Sequence, residues 1–82
     1  MRYLYLLKST RKKWFYIGTT EFPNKRVEQH NAGKVRSTKA YAPFTLIYLE
    51  AYNDKKIARK RELELKHNSQ QKELLYKRLG IK

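Results

Sequence analysis

Aromatic, aliphatic and polar residues divide the chain into segments of the lengths that strands and helices require. Residues 2–8 and 14–18 carry the aromatic, aliphatic and β-branched residues typical of strands, and the polar, basic stretch 9–13 predicts a hairpin connection between them. The most apolar, β-branched and aromatic run, Phe44 to Tyr52, predicts the third and central strand.

Side chains alternate between the two faces of a strand, so a hairpin register predicts which residues share a face. Pairing Tyr5 with Tyr16 centres the turn on Thr10-Arg11 and places Tyr3 opposite Gly18. One face then carries Tyr3, Tyr5, Tyr16 and Gly18. The other face supplies core from Leu4, Leu6, Phe15 and Ile17.

Helix boundaries follow from proline, glycine and capping residues. Pro23 and Gly33 bracket a helix of about residues 23–32, whose apolar residues are only Val27 and Ala32. We therefore expect this helix to dock along a narrow stripe. A basic loop, 33–43, follows it.

The C-terminal third predicts two helices. Asp54 is a good N-cap for the first, and Ser69 for a short final helix that ends at Gly80. His67-Asn68 separates the two helices. The first carries apolar residues Ile57, Ala58, Leu63 and Leu65. The predicted order is β-β-α-β-α-α in one small α+β domain, residues 1–82.

Charge indicates the class of partner. Twenty Lys and Arg stand against seven Asp and Glu, a formal net charge of +13 in 82 residues. A polyanion would neutralise this excess, so we expect a nucleic-acid partner whose binding weakens with salt.

Several classes of protein are disfavoured. No apolar stretch approaches the roughly 20 residues of a membrane-spanning helix, and the N-terminus is too polar for a secretory signal. The chain has no cysteine, which excludes disulfides and thiolate zinc sites. We expect a cytoplasmic protein without a membrane partner or a small-molecule cofactor.

Glu62 is the first candidate for chemistry. It lies four residues after Ala58 and three before Leu65, which puts it near the edge of the predicted apolar stripe, where a carboxylate can face a cleft. Spacing alone does not distinguish it from Glu64. Spacing alone favours a solvent-exposed ion pair between Glu62 and Lys66 at i+4.

Arg26 and His30 share one face of the first helix at i and i+4. A guanidinium can hold a phosphate and stabilise charge in the transition state. A histidine can transfer protons near neutral pH. Tyr5 and Tyr16 can act as catalysts only beside a cation or metal, because a phenol is mostly protonated at neutral pH. Taken singly, each of these residues fits an ordinary structural role as well.

Taken together, their order resembles the GIY-YIG nuclease superfamily, specifically its small stand-alone bacterial domains. The resemblance lies in two tripeptides, Tyr3-Leu4-Tyr5 and Tyr16-Ile17-Gly18, which are separated by ten residues. It continues in Arg26 and His30 of an Arg-x-x-x-His helix, and in Ala58, Glu62 and Lys66 of an Ala-x-x-x-Glu-x-x-x-Lys helix. Tyr3 replaces the glycine of the superfamily name, as is common in the small domains.

The resemblance implies a three-stranded antiparallel sheet flanked by helices, and an endonuclease site. Tyr16, with Tyr5 bonded to it or alternating with it, would activate water. Arg26 would hold the scissile phosphate, and His30 would assist near the nucleophile or leaving group. Glu62 would ligate a single Mg²⁺ or Mn²⁺.

The expected substrate is DNA, with RNA not excluded, in structure-directed repair or recombination, and a protein partner could supply targeting. Phosphate contacts are expected from Lys25, Lys34, Arg36, Lys39 and Lys66. The alternative function is a non-catalytic nucleic-acid-binding module on the same scaffold, because basic residues serve both functions. A lone acid that repels phosphate favours the enzyme.

Overall fold

The computed structural model describes residues 1–81, and its elements follow the predicted order. The strands are β1 (Arg2–Ser9), β2 (Phe15–Thr20) and β3 (Phe44–Tyr52), joined in an antiparallel sheet of order β2-β1-β3. The α-helices are α1 (Pro23–Asn31), α2 (Lys55–His67) and α3 (Ser69–Arg78), and a short 3-10 helix spans Lys39–Tyr41. The α+β class with order β-β-α-β-α-α is confirmed.

The central strand is β1, so the prediction that Phe44–Tyr52 is central was wrong. Residues Leu4 to Leu7 are all buried, whereas β3 is mostly half-exposed. A strand covered on both faces carries a continuous apolar run instead of an alternating one. The unbroken apolar run at the N-terminus marks the centre of the sheet.

The hairpin register is shifted by two residues from the prediction. Tyr5 pairs with Gly18, and Leu7 pairs with Tyr16. The turn is centred one residue later, on Arg11-Lys12, where the Ser9 hydroxyl accepts hydrogen bonds from the backbone N–H groups of Arg11 (3.2 Å) and Lys12 (3.1 Å). A shift of two keeps each side chain on its predicted face, because the strand repeat is two.

Two cores cover the two faces of β1. On one face, Leu65 of α2 and Leu75 of α3 pack against Leu4, Leu6 and Ile17, with Phe15 beside them. The other face contains Tyr5, Leu7 and Phe44, with Tyr16 and Val27 partly buried against them. The buried core of the first face is entirely aliphatic, whereas that of the second face includes Tyr5.

Capping was predicted for two helices and was correct for one. Asp54 caps α2 by accepting the Lys56 N–H at 2.8 Å. The cap of α3 is Asn68 and not Ser69: its side chain accepts the N–H groups of Gln70 and Gln71 at 3.1 and 3.3 Å. Gly80 ends α3 with φ +77°, as predicted.

The buried row of α2 differs from the predicted stripe. Ala58, Glu62 and Leu65 are buried, whereas Ile57 and Leu63 are 52% and 38% exposed. Glu62 therefore lies within the buried row and not at its edge.

Glu50 of β3 fixes the position of α2. It accepts hydrogen bonds from the Tyr48 and Tyr52 hydroxyls at 2.6 and 2.5 Å, and from Arg61 Nε at 3.0 Å and Nη2 at 3.1 Å. Burial would raise the pKa of Glu50, but Arg61 and the two phenols outweigh burial and lower it. Arg61 thus ties α2 to β3, and Glu62, one residue further around the helix, faces the β2 side. None of the helices in residues 1–81 is long and apolar enough to cross a membrane.

Candidate active site

Gly18 makes room for Tyr5 at the centre of the site. A Cβ atom at position 18 would lie 2.6 Å from the Tyr5 hydroxyl and 2.7 Å from Cζ of its ring. Since Gly18 pairs directly with Tyr5, the ring lies over the glycine. Tyr5 is only 1% exposed there.

Tyr5 belongs to a buried hydrogen-bond chain with His30 and Thr38. The Tyr5 hydroxyl lies 2.9 Å from His30 Nε2, and His30 Nδ1 lies 2.8 Å from Thr38 Oγ1. Thr38 donates its own hydroxyl proton to the Val35 carbonyl oxygen at 3.3 Å. Thr38 therefore accepts the Nδ1 proton of His30, which leaves Nε2 to accept the proton of Tyr5.

This environment keeps His30 neutral and Tyr5 protonated. Burial, and then the positive charge of Arg26, lower the pKa of His30 to about 4. Burial raises the pKa of Tyr5, and the nearby Arg26 guanidinium only partly opposes it. His30 is fully buried with both ring nitrogens bonded, so any effect it has on a substrate acts through Tyr5.

Arg26 and Tyr16 are the accessible side chains next to the buried Tyr5–His30 pair. Arg26 is half-buried on α1 and donates to Gln29 Oε1 at 2.9 Å. The Tyr16 ring is half-buried, with its centroid 6.2 Å from that of Tyr5 and 5.1 Å from that of His30. The two tyrosines, the histidine and the arginine are thus gathered on one face of the sheet.

Glu62 is held as a carboxylate between two cations. It is 5% exposed, and its oxygens accept hydrogen bonds from Arg59 (2.7 Å) and Lys66 (2.9 Å). Burial would raise the pKa of Glu62, but Lys66 and Arg59 outweigh burial and lower it. Glu64, which spacing could not exclude, is exposed and is bonded to Arg61.

Lys66 connects Glu62 with Tyr16. Its ammonium group lies 2.9 Å from Glu62 Oε2 and 5.5 Å from the centroid of the Tyr16 ring. The negative charge of Glu62 also contributes to raising the pKa of Tyr5. Although α2 packs on the aliphatic face, Glu62 therefore lies within electrostatic reach of both tyrosines around the outer strand β2.

Among residues 1–81, a divalent cation at this site would find a single protein carboxylate, Glu62. Within residues 1–81 no three Asp, Glu, His or Cys side chains cluster in a metal-binding arrangement, so Glu62 is the acid available at this site. Each carboxylate oxygen keeps a free lone pair beside its present hydrogen bond. Mg²⁺ commonly binds through one carboxylate, several waters and substrate phosphate oxygens.

The predicted phosphate-binding residues are accessible, with one difference. Lys25, Lys34, Arg36 and Lys39 are exposed on α1 and on the loop that follows it. Lys66 is instead engaged with Glu62 and with the Tyr16 ring.

Two residues at this site were not predicted. Thr38 sets the orientation of His30, but a single threonine in a basic loop gives no sequence signal. Asn31 joins α1 to β3: its Oδ1 accepts the Phe44 N–H at 2.6 Å, and its Nδ2 donates to the Phe44 carbonyl oxygen at 3.2 Å. Both contacts depend on tertiary structure.

Comparisons with known proteins show the family to which the chain belongs. The family model of the GIY-YIG catalytic domain matches residues 1–77. UPF0213 proteins of Staphylococcus aureus strains Mu3 and N315 are each 43% identical over 60 residues, which cover 72% of this chain and 73% of the relative. The solution NMR structure of a UPF0213 protein from Bacillus halodurans is similar with a TM-score of 0.54 and 29% identity, covering 92% of this chain and 83% of that chain.

Proposed function

Because this chain belongs to the GIY-YIG catalytic domain family, a nuclease family, we propose that it is a metal-dependent endonuclease that hydrolyses phosphodiester bonds in DNA. One observation carries the proposal. A nearly buried carboxylate, Glu62, is linked through Lys66 to the accessible phenol of Tyr16, on the sheet face that also holds Arg26. An acid, a phenol and a guanidinium converging in this way suit phosphate chemistry better than simple phosphate binding.

Arg26 and Tyr16 are the groups that contact the substrate in this proposal. The Arg26 guanidinium binds two oxygens of the scissile phosphate and stabilises the charge that builds on them. The Tyr16 hydroxyl orients the attacking water, whose oxygen forms the new bond to phosphorus as one of its protons passes to solvent. The leaving oxygen departs with the electron pair of the broken bond and takes a proton from solvent.

Tyr5 and His30 act as positioning residues. Tyr5 donates its proton to His30 and is nearly inaccessible, so it is poorly placed to accept a proton from water. Its fixed ring packs 6.2 Å from the Tyr16 ring and restricts where the Tyr16 hydroxyl can point. Thr38 completes this support by orienting His30.

Glu62 is the residue that would hold a single Mg²⁺ or Mn²⁺, together with water and phosphate oxygens. When bound, the cation would neutralise charge on the phosphate and on the leaving oxygen. Arg59 and Lys66 keep this carboxylate ionised and oriented. The Lys66 ammonium also lies 5.5 Å from the centroid of the Tyr16 ring, where it would contact a substrate phosphate bound beside Tyr16.

Exposed cations supply the remaining affinity for DNA. Lys25, Lys34, Arg36 and Lys39 would contact backbone phosphates, which positions DNA without reading its sequence. Substrate choice would then follow DNA shape, as expected for a structure-directed enzyme of repair or recombination, or would come from a targeting protein partner.

The second candidate is a nucleic-acid-binding module without catalysis. It is favoured by the ion pairs of Glu62, since both of its oxygens already have cationic partners within α2. In that case Glu62 would serve only to stabilise the helix.

The test compares wild type with Glu62→Gln on supercoiled and branched DNA, with Mg²⁺, with Mn²⁺ and with chelator. Glu64→Gln is the matched control, because it removes an equal charge from an exposed position of the same helix. We expect cleavage by wild type and by Glu64→Gln, and loss of cleavage with retained DNA binding in Glu62→Gln. Binding by all three proteins without any cleavage would establish the second candidate instead.

A further inference from the structure

Two concavities adjoin along β2, beyond the tyrosine site. The smaller, of about 180 Å³, is lined by Tyr16 and Phe15 of β2, by Lys66 of α2 and by Lys72 of α3. The larger, of about 620 Å³, lies between the β1–β2 hairpin and the C-terminal end of α3. Phe15 lines both, so a path runs from Tyr16 over β2 to the hairpin.

Both concavities are cationic. Lys8, Arg11, Lys12 and Lys13 line the larger one and are all exposed. Lys66 and Lys72 line the smaller one. Among residues 1–81, no acidic side chain lines either concavity, so the whole path attracts phosphate groups.

The larger concavity also has an apolar floor, formed by Phe15, Ile47, Leu79 and Ile81. Phe15 is half-buried, and its ring is supported by Tyr76, with 5.1 Å between centroids. A basic rim that follows phosphates and an aromatic surface that receives bases are the two features by which proteins bind single strands. A duplex presents phosphates but keeps its base faces stacked inside.

Geometry also favours an unpaired strand. Phe15 and Tyr16 are neighbours in β2, so their side chains point to opposite faces of the sheet. A strand in contact with both must turn around the outer edge of β2 in a molecule measuring 29 × 28 × 18 Å. Duplex DNA is stiff over about 50 nm, whereas a single strand turns easily.

We propose that the hairpin concavity binds unpaired nucleotides of the DNA strand whose scissile phosphate lies at Tyr16. This inference rests on the proposed function, since it takes Tyr16 as the reaction end of the path. If the inference holds, the protein recognises the junction between duplex and single-stranded DNA in its substrate.

The test measures binding, with chelator present, to a blunt duplex and to the same duplex carrying an oligothymidine extension. Wild type is compared with the double variant Lys8→Gln/Lys13→Gln, which removes two exposed charges of the concavity. The matched control, Lys55→Gln/Lys56→Gln, removes two exposed charges at the opposite end of the sheet, where α2 begins.

We expect wild type to bind the extended duplex more tightly than the blunt one. The double variant should lose this preference, and its log–log salt slope on extended DNA should flatten by about 1.4, or about 0.7 for each single-strand phosphate contact. The control should keep both the preference and the slope. Equal wild-type binding of the two DNAs, or equal losses in the double variant and the control, would overturn the inference.

These outcomes are independent of catalysis. If wild type cleaves DNA but shows no preference for the extension, the proposed function stands and this inference fails. If the preference is present but no protein cleaves, the concavity binds unpaired DNA in a protein that is not a nuclease.

Discussion

At the scale of single residues, burial assigns different roles to chemically identical groups. Tyr5 and Tyr16 are both strand tyrosines on one face, yet Tyr5 is enclosed and bonded to His30, while Tyr16 is partly open to solvent. Glu62 and Glu64 were likewise equivalent by spacing, but only Glu62 is buried. The sequence identified these residues as candidates. It could not predict which of each pair is buried, because burial depends on which side of each element the rest of the chain covers.

Thr38 is the residue whose importance the sequence did not indicate, and it yields a stability prediction. Thr38→Val preserves shape but removes the acceptor for the Nδ1 proton of His30, leaving a buried donor without a partner. We expect a loss of about 1–3 kcal/mol in the free energy of unfolding, measured by urea denaturation.

Thr38→Ser is the control, because it keeps the hydroxyl and removes only a methyl group. It should lose only about 0.5 kcal/mol, less than Thr38→Val. If Thr38→Val proved as stable as Thr38→Ser, the hydroxyl would not be supporting His30.

His30 predicts how stability depends on pH. Its pKa is lowered to about 4 in the folded protein, from an ordinary value of 6.5. The unfolded chain therefore binds a proton that the folded protein excludes, and the stabilisation present above pH 6.5 is lost as pH falls towards 4. The loss should be at most about 3 kcal/mol.

The diagnostic window is pH 7.5 to 5.5, in which unfolded His30 takes up its proton while Glu50 and Glu62, whose pKa values are lowered from 4.5, stay ionised in both states. Urea unfolding of His30→Gln across this window should show a flatter pH dependence than wild type, because glutamine does not titrate. Parallel curves would mean that His30 is not held neutral.

At the scale of secondary-structure elements, local signals predicted boundaries well and partners poorly. The position of Gly80 after α3 and of Asp54 before α2 followed from capping preferences. The hairpin register did not, because the Ser9 side chain accepts two backbone hydrogen bonds in a turn that is centred one residue later than predicted. The central strand was missed because overall apolarity was given more weight than the continuous apolar run in β1.

Asn68 provides a prediction at the scale of elements. The sequence alone had assigned the N-cap of α3 to its neighbour, Ser69. Asn68→Ala removes the acceptor for two N–H groups at the start of α3 and should cost about 1 kcal/mol in the free energy of unfolding. Ser69→Ala, at the first residue of the helix, should change it by less than about 0.5 kcal/mol. The reverse ranking in chemical denaturation would show that Ser69 is the cap.

At the scale of the whole molecule, the site is built around the outer strand β2, which is contacted by residues packed on both faces of the sheet. Tyr16 projects from β2 towards α1, while Lys66 of α2 reaches that ring from the other layer. The net charge of +13 explains why composition indicated a nucleic-acid partner without indicating chemistry. The order of motifs predicted the family, and only the folded arrangement links Glu62 to Tyr16.

The most direct test of a single phosphodiesterase site is a double-mutant cycle on single-turnover DNA cleavage with Mg²⁺. Tyr16→Phe and Glu62→Gln should each reduce the rate by about 100-fold or more. The double variant should be no slower than the slower single variant, because the two groups act on the same phosphate. Equal rates for all four proteins, or a double-variant loss equal to the product of the two single losses, would contradict the account.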